Sequence, residues 1–165
     1  MRIVDKNETI AWISKRDVLD STGMPSFSGF VELLGAAIPA DSGRKTALSR
    51  AIVSFFEADD EALLWIHEFG IWESAEDRHL FEGFRRGLGE HSPLHEKPGH
   101  IFSSNDLRDV GSLVAMILYF VWGAILYSPA KDLAIEISHD EFISVFVRDK
   151  KDAVGITETF KKYLS

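Results

Sequence analysis

The longest segment without a charge, the 21 residues 110–130, constrains the fold of this chain more than any other feature. Most of its side chains are large and apolar, Asn105 before it suits a helix N-cap, and Pro129 ends a helix. The pattern predicts one helix over 105–129 that is roughly 30 Å long and apolar on nearly all sides. Such a helix has to be buried, either in the protein's own core or in a bilayer.

The bilayer alternative comes from length alone, because about 18 uncharged apolar residues are the usual threshold for a membrane span. The flanking basic residues give little orientation signal, since Lys97 and Arg108 precede the segment and Lys131 follows it. The rest of the chain is amphipathic and needs a large apolar element to pack on. We therefore expect a core helix and no membrane. A membrane-attached protein built on this segment stays open as a third possibility.

Length and charge bound the classes of protein that fit. With 165 residues, we expect a single domain over 1–165. Cysteine is absent, which removes disulfides and thiolate chemistry. Charged residues within 1–8 lie where a signal peptide would be apolar, so the sequence predicts a cytoplasmic protein. The net charge of −8 argues against nucleic acid as a ligand and favours a basic protein partner.

Apolar periodicity outlines the remaining elements. A strand over 30–38, a helix over 43–56 and a strand over 62–67 predict a right-handed crossover with two parallel strands. The second strand is a continuous apolar run, which is typical of a central strand buried on both faces. The other predicted elements are a short N-terminal helix around 10–18, a helix over 74–88, a long loop over 89–104, a hairpin of strands 133–138 and 142–148, and a C-terminal helix over 154–164.

These elements predict an α+β fold with a single domain. Its mixed sheet has about four strands, which come from one βαβ unit and the C-terminal β-hairpin. Helices pack on this sheet around the buried central helix.

Acidic residues concentrate in the middle of the chain, where 57–82 contains nine acids and one base, Arg78. A solvated helix face followed by a turn explains such a run without any partner. The functional interpretation is an aromatic anchor, Trp72, ringed by carboxylates, which suits a basic protein surface. The candidate partner-binding residues are Asp59, Asp60, Glu68, Trp72, Glu73 and Glu76.

Histidines beside carboxylates give an enzymatic alternative. His67 ends a predicted strand next to Glu68, and His139 begins the predicted hairpin turn. If these strand ends converge at a sheet edge, they supply the acid and base groups of a hydrolase or a metal-assisted enzyme. The structural alternative is that Asp and His side chains cap the turn. The candidate catalytic residues are His67, His100, His139, Asp140 and Glu141.

A second group of histidines lies in the predicted loop over 89–104. His91, His95 and His100, with a neighbouring glutamate, have the chemistry of zinc ligands. However, the spacing of His91 and His95 aligns ligands only on a helix, and Pro93 between them argues against one. The sequence therefore predicts no metal and no cofactor.

Three sequence blocks, taken together, are similar to those of other proteins. They are the apolar strand followed by Gly-Ile-Trp-Glu-Ser over 63–74, Pro-Gly-His-Ile-Phe over 98–102, and Ser-His-Asp-Glu over 138–141. Together they resemble a family of small uncharacterised bacterial proteins, over roughly residues 30–148. The resemblance implies a bacterial cytoplasmic origin, and it transfers neither an activity nor a site residue.

The leading functional hypothesis is a non-enzymatic protein-binding module of the immunity or antitoxin type, whose acidic middle segment occludes a basic toxin. It rests on charge, small size and the lack of a catalytic signature, and it requires the acids to share one face. The alternative is the histidine and carboxylate enzyme, which requires at least three of its candidate groups to converge. Either hypothesis is compatible with a monomer or a homodimer.

Overall fold

The computed structural model describes residues 1–69, 75–149 and 155–164. Within them the chain forms a seven-stranded sheet whose order is β1-β4-β3-β5-β6-β7-β2. Every neighbouring pair of strands is antiparallel. The strands are β1 Arg2–Val4, β2 Val31–Ala37, β3 Ala62–Glu68, β4 Gly99–Phe102, β5 Gly123–Ser128, β6 Leu133–Ser138 and β7 Phe142–Val147.

Five α-helices accompany the sheet in the described part of the chain. Acidic side chains cap the first two, because Asp5 accepts a hydrogen bond from the Glu8 backbone N–H and Asp41 accepts one from that of Arg44, each at 2.8 Å. The helices are α1 Lys6–Ile13, α2 Ser42–Ser54, α3 Ala75–Gly87, α4 Leu107–Phe120 and α5 Ile156–Leu164.

The predicted helix over 105–129 is wrong in its second half. Helix α4 ends at Phe120, and Val121 takes a left-handed backbone conformation with φ 56° that turns the chain. The remainder of the apolar run is β5, which is buried along its whole length in the middle of the sheet. Among the described residues, no helix has both the length and the apolarity needed to cross a membrane.

The α+β class is confirmed, but the predicted mixed sheet of about four strands is wrong. β2 and β3 do run in the same direction, yet β7, β6 and β5 lie between them, so they form no parallel pair. The predicted C-terminal hairpin is confirmed as β6 and β7. The strands that were missed include β4, which lies in the predicted loop over 89–104, and β5, which lies in the predicted helix.

The two faces of the sheet have different surroundings. Helices α2, α3, α4 and α5 cover the inner face and enclose the larger apolar core, to which Leu64, Leu126 and Ile135 belong. On the outer face, Trp12 and Ile13 of α1 pack with Trp65 and Tyr127 in a smaller core. The rest of the outer face, at β6, β7 and β2, has no helix over it within the described residues. We call this part the open face and define it by Glu32, Gly35, Glu136, Phe142 and Ser144.

Candidate functional site

A β-bulge at the end of β3 directs two polar side chains to the outer face. Ile66 lies opposite Ala124, but the next pair in register is Glu68 and Gly123, so His67 is the additional residue. The His67 ring meets the edge of the Trp65 ring at a centroid distance of 5.8 Å. The Glu68 side chain lies over Gly123, because a β-carbon built there would be 2.7 Å from Glu68 Oε2. Glycine at this position therefore makes room for the carboxylate.

The turn between β6 and β7 brings His139 to Glu68. The distance from His139 Nδ1 to Glu68 Oε2 is 2.6 Å, and both side chains are about one-third exposed or less. On the other side of the ring, His139 Nε2 lies 3.5 Å from Asp140 Oδ1. The turn itself is fixed by Ser138 Oγ, which accepts a hydrogen bond from the Asp140 backbone N–H at 3.1 Å. A histidine with a carboxylate near each ring nitrogen therefore lies at this sheet edge.

A row of carboxylates continues from Glu68 across the open face. Glu136 occupies the middle of β6 and lies opposite Ile125 and Ser144 in the two neighbouring strands. Glu32 follows on β2, where its carboxylate lies over Gly35 and accepts a hydrogen bond from Ser144 Oγ at 3.2 Å. We call Glu32, Glu68 and Glu136 the acidic strip.

Two groups in this region have shifted pKa values. Burial raises the pKa of Glu136, and the negative charges of Glu68 and Glu32 raise it further. Burial lowers the pKa of His67, the His139 charge lowers it further, and Glu68 opposes both effects. The neutral form of His67 is therefore favoured, and among the described residues neither of its buried ring nitrogens has a hydrogen-bond partner.

In the described parts of the chain, no lysine or arginine forms an ion pair with the acidic strip. Among the described residues, neither Glu32 nor Glu136 takes part in an ion pair, and Glu68 pairs only with His139. Within the described residues, three carboxylates thus share one surface, and only histidines lie beside them as possible cations. Such an arrangement has a negative potential that attracts a cationic group.

A groove of about 380 Å³ lies beside His139, next to the C-terminal end of α4. Asp140 and Glu141, both exposed, line it together with Asp77 and Tyr119. The structure thus brings together four of the five predicted catalytic residues, His67, His139, Asp140 and Glu141, at one end of the sheet.

The fifth, His100, does not join them. It lies in β4 rather than in a loop, is fully buried, and faces the inner side of the sheet opposite Leu64. His91 and His95 are exposed, so these three histidines do not converge as a zinc site would require. Within the described residues, no three His, Asp or Glu side chains are arranged to hold a metal ion.

The predicted partner-binding residues are spread over the molecule. Asp59 is buried, and Asp60 is exposed just before β3. Glu68 lies at the other end of this strand, whose first and last residues are about 20 Å apart at about 3.3 Å per residue. Glu76 is exposed on α3, and Trp72 and Glu73 lie outside the described residues.

The sequence patterns did not indicate Glu32 and Glu136 as site residues. Glu136 is the one charged residue in the strand Leu133–Ser138, between Ile135 and Ile137, and a charged residue at the centre of a strand is the signal that would have found it.

Comparisons with protein-family models, curated proteins and solved structures found no match. The resemblance to small bacterial proteins therefore stays a prediction.

Proposed function

We propose that this chain is a non-enzymatic protein-binding module that presents the acidic strip to a basic partner, in the manner of an immunity or antitoxin protein. One observation carries the proposal: Glu32, Glu68 and Glu136 lie on the same face of the sheet, and among the described residues no Lys or Arg forms an ion pair with any of them. A partner's Lys or Arg side chain would supply the missing positive charge.

The surroundings of the strip support a protein partner. The outer face there is a sheet surface with no helix over it in the described parts of the chain. Phe142 is 42% exposed and borders Gly35, since a β-carbon built on Gly35 would lie 3.0 Å from the Phe142 ring. An exposed aromatic ring beside carboxylates combines apolar contact area with charge, which is the composition of an interface centre facing a basic surface.

Charge also supports rapid association. The chain has a net charge of −8, so a basic partner is attracted over a distance of about 10 Å at about 0.1 M salt and about 30 Å at about 0.01 M salt. Binding of this kind should weaken as the salt concentration rises.

Three baits test the proposal: the wild type, a strip variant with Glu32, Glu68 and Glu136 changed to Gln, and a control with Asp60→Asn, Glu76→Gln and Glu96→Gln. Both variants lose three charges, but the control loses them from exposed positions away from the strip. At low salt we expect a basic protein from the source lysate to bind the wild type and the control, and to be lost from the strip variant. Equal loss in both variants would refute a role of the strip.

A second candidate function is acid–base catalysis at His139. The observation that favours it is the 2.6 Å contact between His139 and Glu68, next to a groove of about 380 Å³ in which a small substrate would fit. The test is hydrolysis of nitrophenyl esters and phosphates by the wild type and His139→Gln. A rate above background that His139→Gln abolishes would favour the enzyme over the binding module.

A further inference from the structure

A groove of about 460 Å³ lies between helices α2 and α4, and no residue of the acidic strip lines it. Small residues on both helices leave this space, among them Gly111 and Ala115. Four hydroxyl groups line the groove, and each donates a hydrogen bond to a backbone carbonyl of its own helix. They belong to Thr46, Ser49, Ser54 and Ser112. The side-chain donors left for a ligand are therefore the charged groups of the lining.

Each wall of the groove carries one arginine, Arg50 on α2 and Arg108 on α4. Both are exposed, and within the described residues neither side chain has an ion pair or a hydrogen bond. The lining includes one acid, Glu57, which pairs with neither arginine. Asp106 and Asp109, the acids nearest to Arg108 in the sequence, line a separate cavity of about 250 Å³. The groove is thus a positively charged site on an acidic protein.

The relative position of the two arginines follows from how the helices pack. Tyr119 Oη, one residue before the end of α4, donates a hydrogen bond to the carbonyl of the first residue of α2 at 2.8 Å, so the helices are antiparallel. A β-carbon built on Gly111 would lie 3.6 Å from Val53 Cγ2, which puts these two residues at the same level. Arg108 precedes Gly111 by three residues, and Arg50 precedes Val53 by three. Because these steps lead in opposite directions, the arginine α-carbons are about 9 Å apart along the groove at about 1.5 Å per residue.

The direction of the side chains increases this separation. A long side chain on a helix leans toward the N-terminus of its own helix, so Arg50 and Arg108 lean toward opposite ends of the groove. One small anion therefore does not suit both guanidinium groups. A ligand with an anionic group at each end does, since a guanidinium binds a carboxylate with two parallel hydrogen bonds. Between the ends, Val53, Gly111 and Ala115 offer apolar contact to a carbon chain.

The charge of the groove favours carboxylates over phosphates. Two arginines and Glu57 leave one net positive charge, and a phosphate group carries about 1.5 to 2 negative charges where a carboxylate carries one. Glu57 follows Val53 in the chain and so lies on the side of Arg108, where its charge weakens the attraction. We propose that the groove binds a small unbranched aliphatic dicarboxylate, with one carboxylate at Arg50 and the other at Arg108.

Calorimetric titration at constant ionic strength tests this proposal with three probes. Suberate has a carboxylate at each end of its chain. Octanoate has a chain of the same length with one carboxylate, and succinate has two carboxylates on a shorter chain. We expect the wild type to bind suberate at least about tenfold more tightly than either of the other probes, because only suberate reaches both arginines.

Variants of the lining test the same contacts from the side of the protein. Arg50→Gln and Arg108→Gln should each weaken suberate binding at least about tenfold, and Glu57→Gln should strengthen it. The matched control is Arg86→Gln, which removes an exposed arginine of α3 outside the groove and should leave suberate binding unchanged.

Three results would overturn the proposal. The first is no binding of suberate to the wild type at about 10 mM. The second is that octanoate or succinate binds as tightly as suberate, which would mean that the two arginines do not hold the two ends of one ligand. The third is that the control weakens suberate binding as much as the two groove variants do.

Discussion

Glu68 and His139 are separated by 71 residues in the chain, and their side chains meet at 2.6 Å where β3 ends and the hairpin turn begins. The contact depends on the bulge at His67 and on the absence of a side chain at Gly123.

A double-mutant cycle measures this contact. Glu68→Gln, His139→Gln and the double variant should give a coupling free energy of about 0.5 kcal/mol in urea unfolding, because both side chains are partly exposed. His95 and Glu96 provide the control, since they lie 4.0 Å apart and both are 60% exposed. Their cycle should give no measurable coupling. Equal coupling in the two cycles would mean that the 2.6 Å contact is not formed in solution.

Gly123→Ala tests whether a glycine is needed under Glu68. The added β-carbon would lie 2.8 Å from Glu68 Cβ, so the Glu68 side chain must move and lose His139. We expect a loss of stability of about 1–3 kcal/mol, from thermal or urea unfolding. Gly83→Ala in α3 is the matched control, because nothing lies within 4 Å of a β-carbon built there. This control should gain about 0.5–1 kcal/mol from helix propensity, and a similar gain at Gly123 would contradict the prediction.

Glu136 should make stability depend on pH. Its folded-state pKa is raised, so the folded protein holds this proton more tightly than the unfolded chain does. The free energy of unfolding of the wild type therefore falls as pH rises from the ordinary carboxyl range through the raised pKa. Glu136→Gln removes this loss. It should exceed the wild type in stability by a few tenths to about 1 kcal/mol at pH 7, and the gain should shrink at pH 4.

The control for this prediction is Glu96→Gln, at an exposed position outside the strip. Its stability relative to the wild type should be the same at pH 7 and pH 4. A gain in Glu136→Gln that does not change with pH would show that the effect is not electrostatic.

Val121 marks the junction between α4 and β5, and its backbone is left-handed. A β-branched residue is strained there, whereas glycine is not. We therefore expect Val121→Gly to be more stable than Val121→Ala by about 1 kcal/mol. Ala115 lies inside α4, where glycine is less favourable than alanine. Ala115→Gly should therefore be less stable than the wild type by about 1 kcal/mol. If the glycine variant is less stable than the alanine form at position 121 as well as at position 115, the backbone of Val121 is not left-handed.

The same junction explains where the sequence was insufficient. Residues 110–130 carry no charge and are mostly apolar because α4 packs one side on the sheet and β5 is buried on both faces. A buried helix and a buried central strand produce the same uncharged run, so periodicity could not divide it. The hairpin of β6 and β7 was predictable, because its turn residues separate two short alternating segments.

Part of the candidate site was predictable, because some of its residues are visible in the local sequence pattern. His67, Glu68 and His139 stand at strand ends, where polar residues after an apolar run are conspicuous. Glu32 and Glu136 join them only through strand order, since β2 is far from β6 in the chain and reaches Glu136 through β7. Strand order depends on long-range pairing, which local patterns do not encode.

The measurement that tests the binding proposal most directly is an NMR titration of the isotopically labelled protein with an arginine-rich peptide at low salt. We expect the largest amide shift changes on β6, β7 and β2 around Glu136, and we expect the Gln variant of the acidic strip to bind the peptide at least about tenfold more weakly. The Asp60, Glu76 and Glu96 variant should bind like the wild type. Shift changes centred on Asp60 and Glu76, or equal weakening in both variants, would contradict the proposal that the open face is the binding surface.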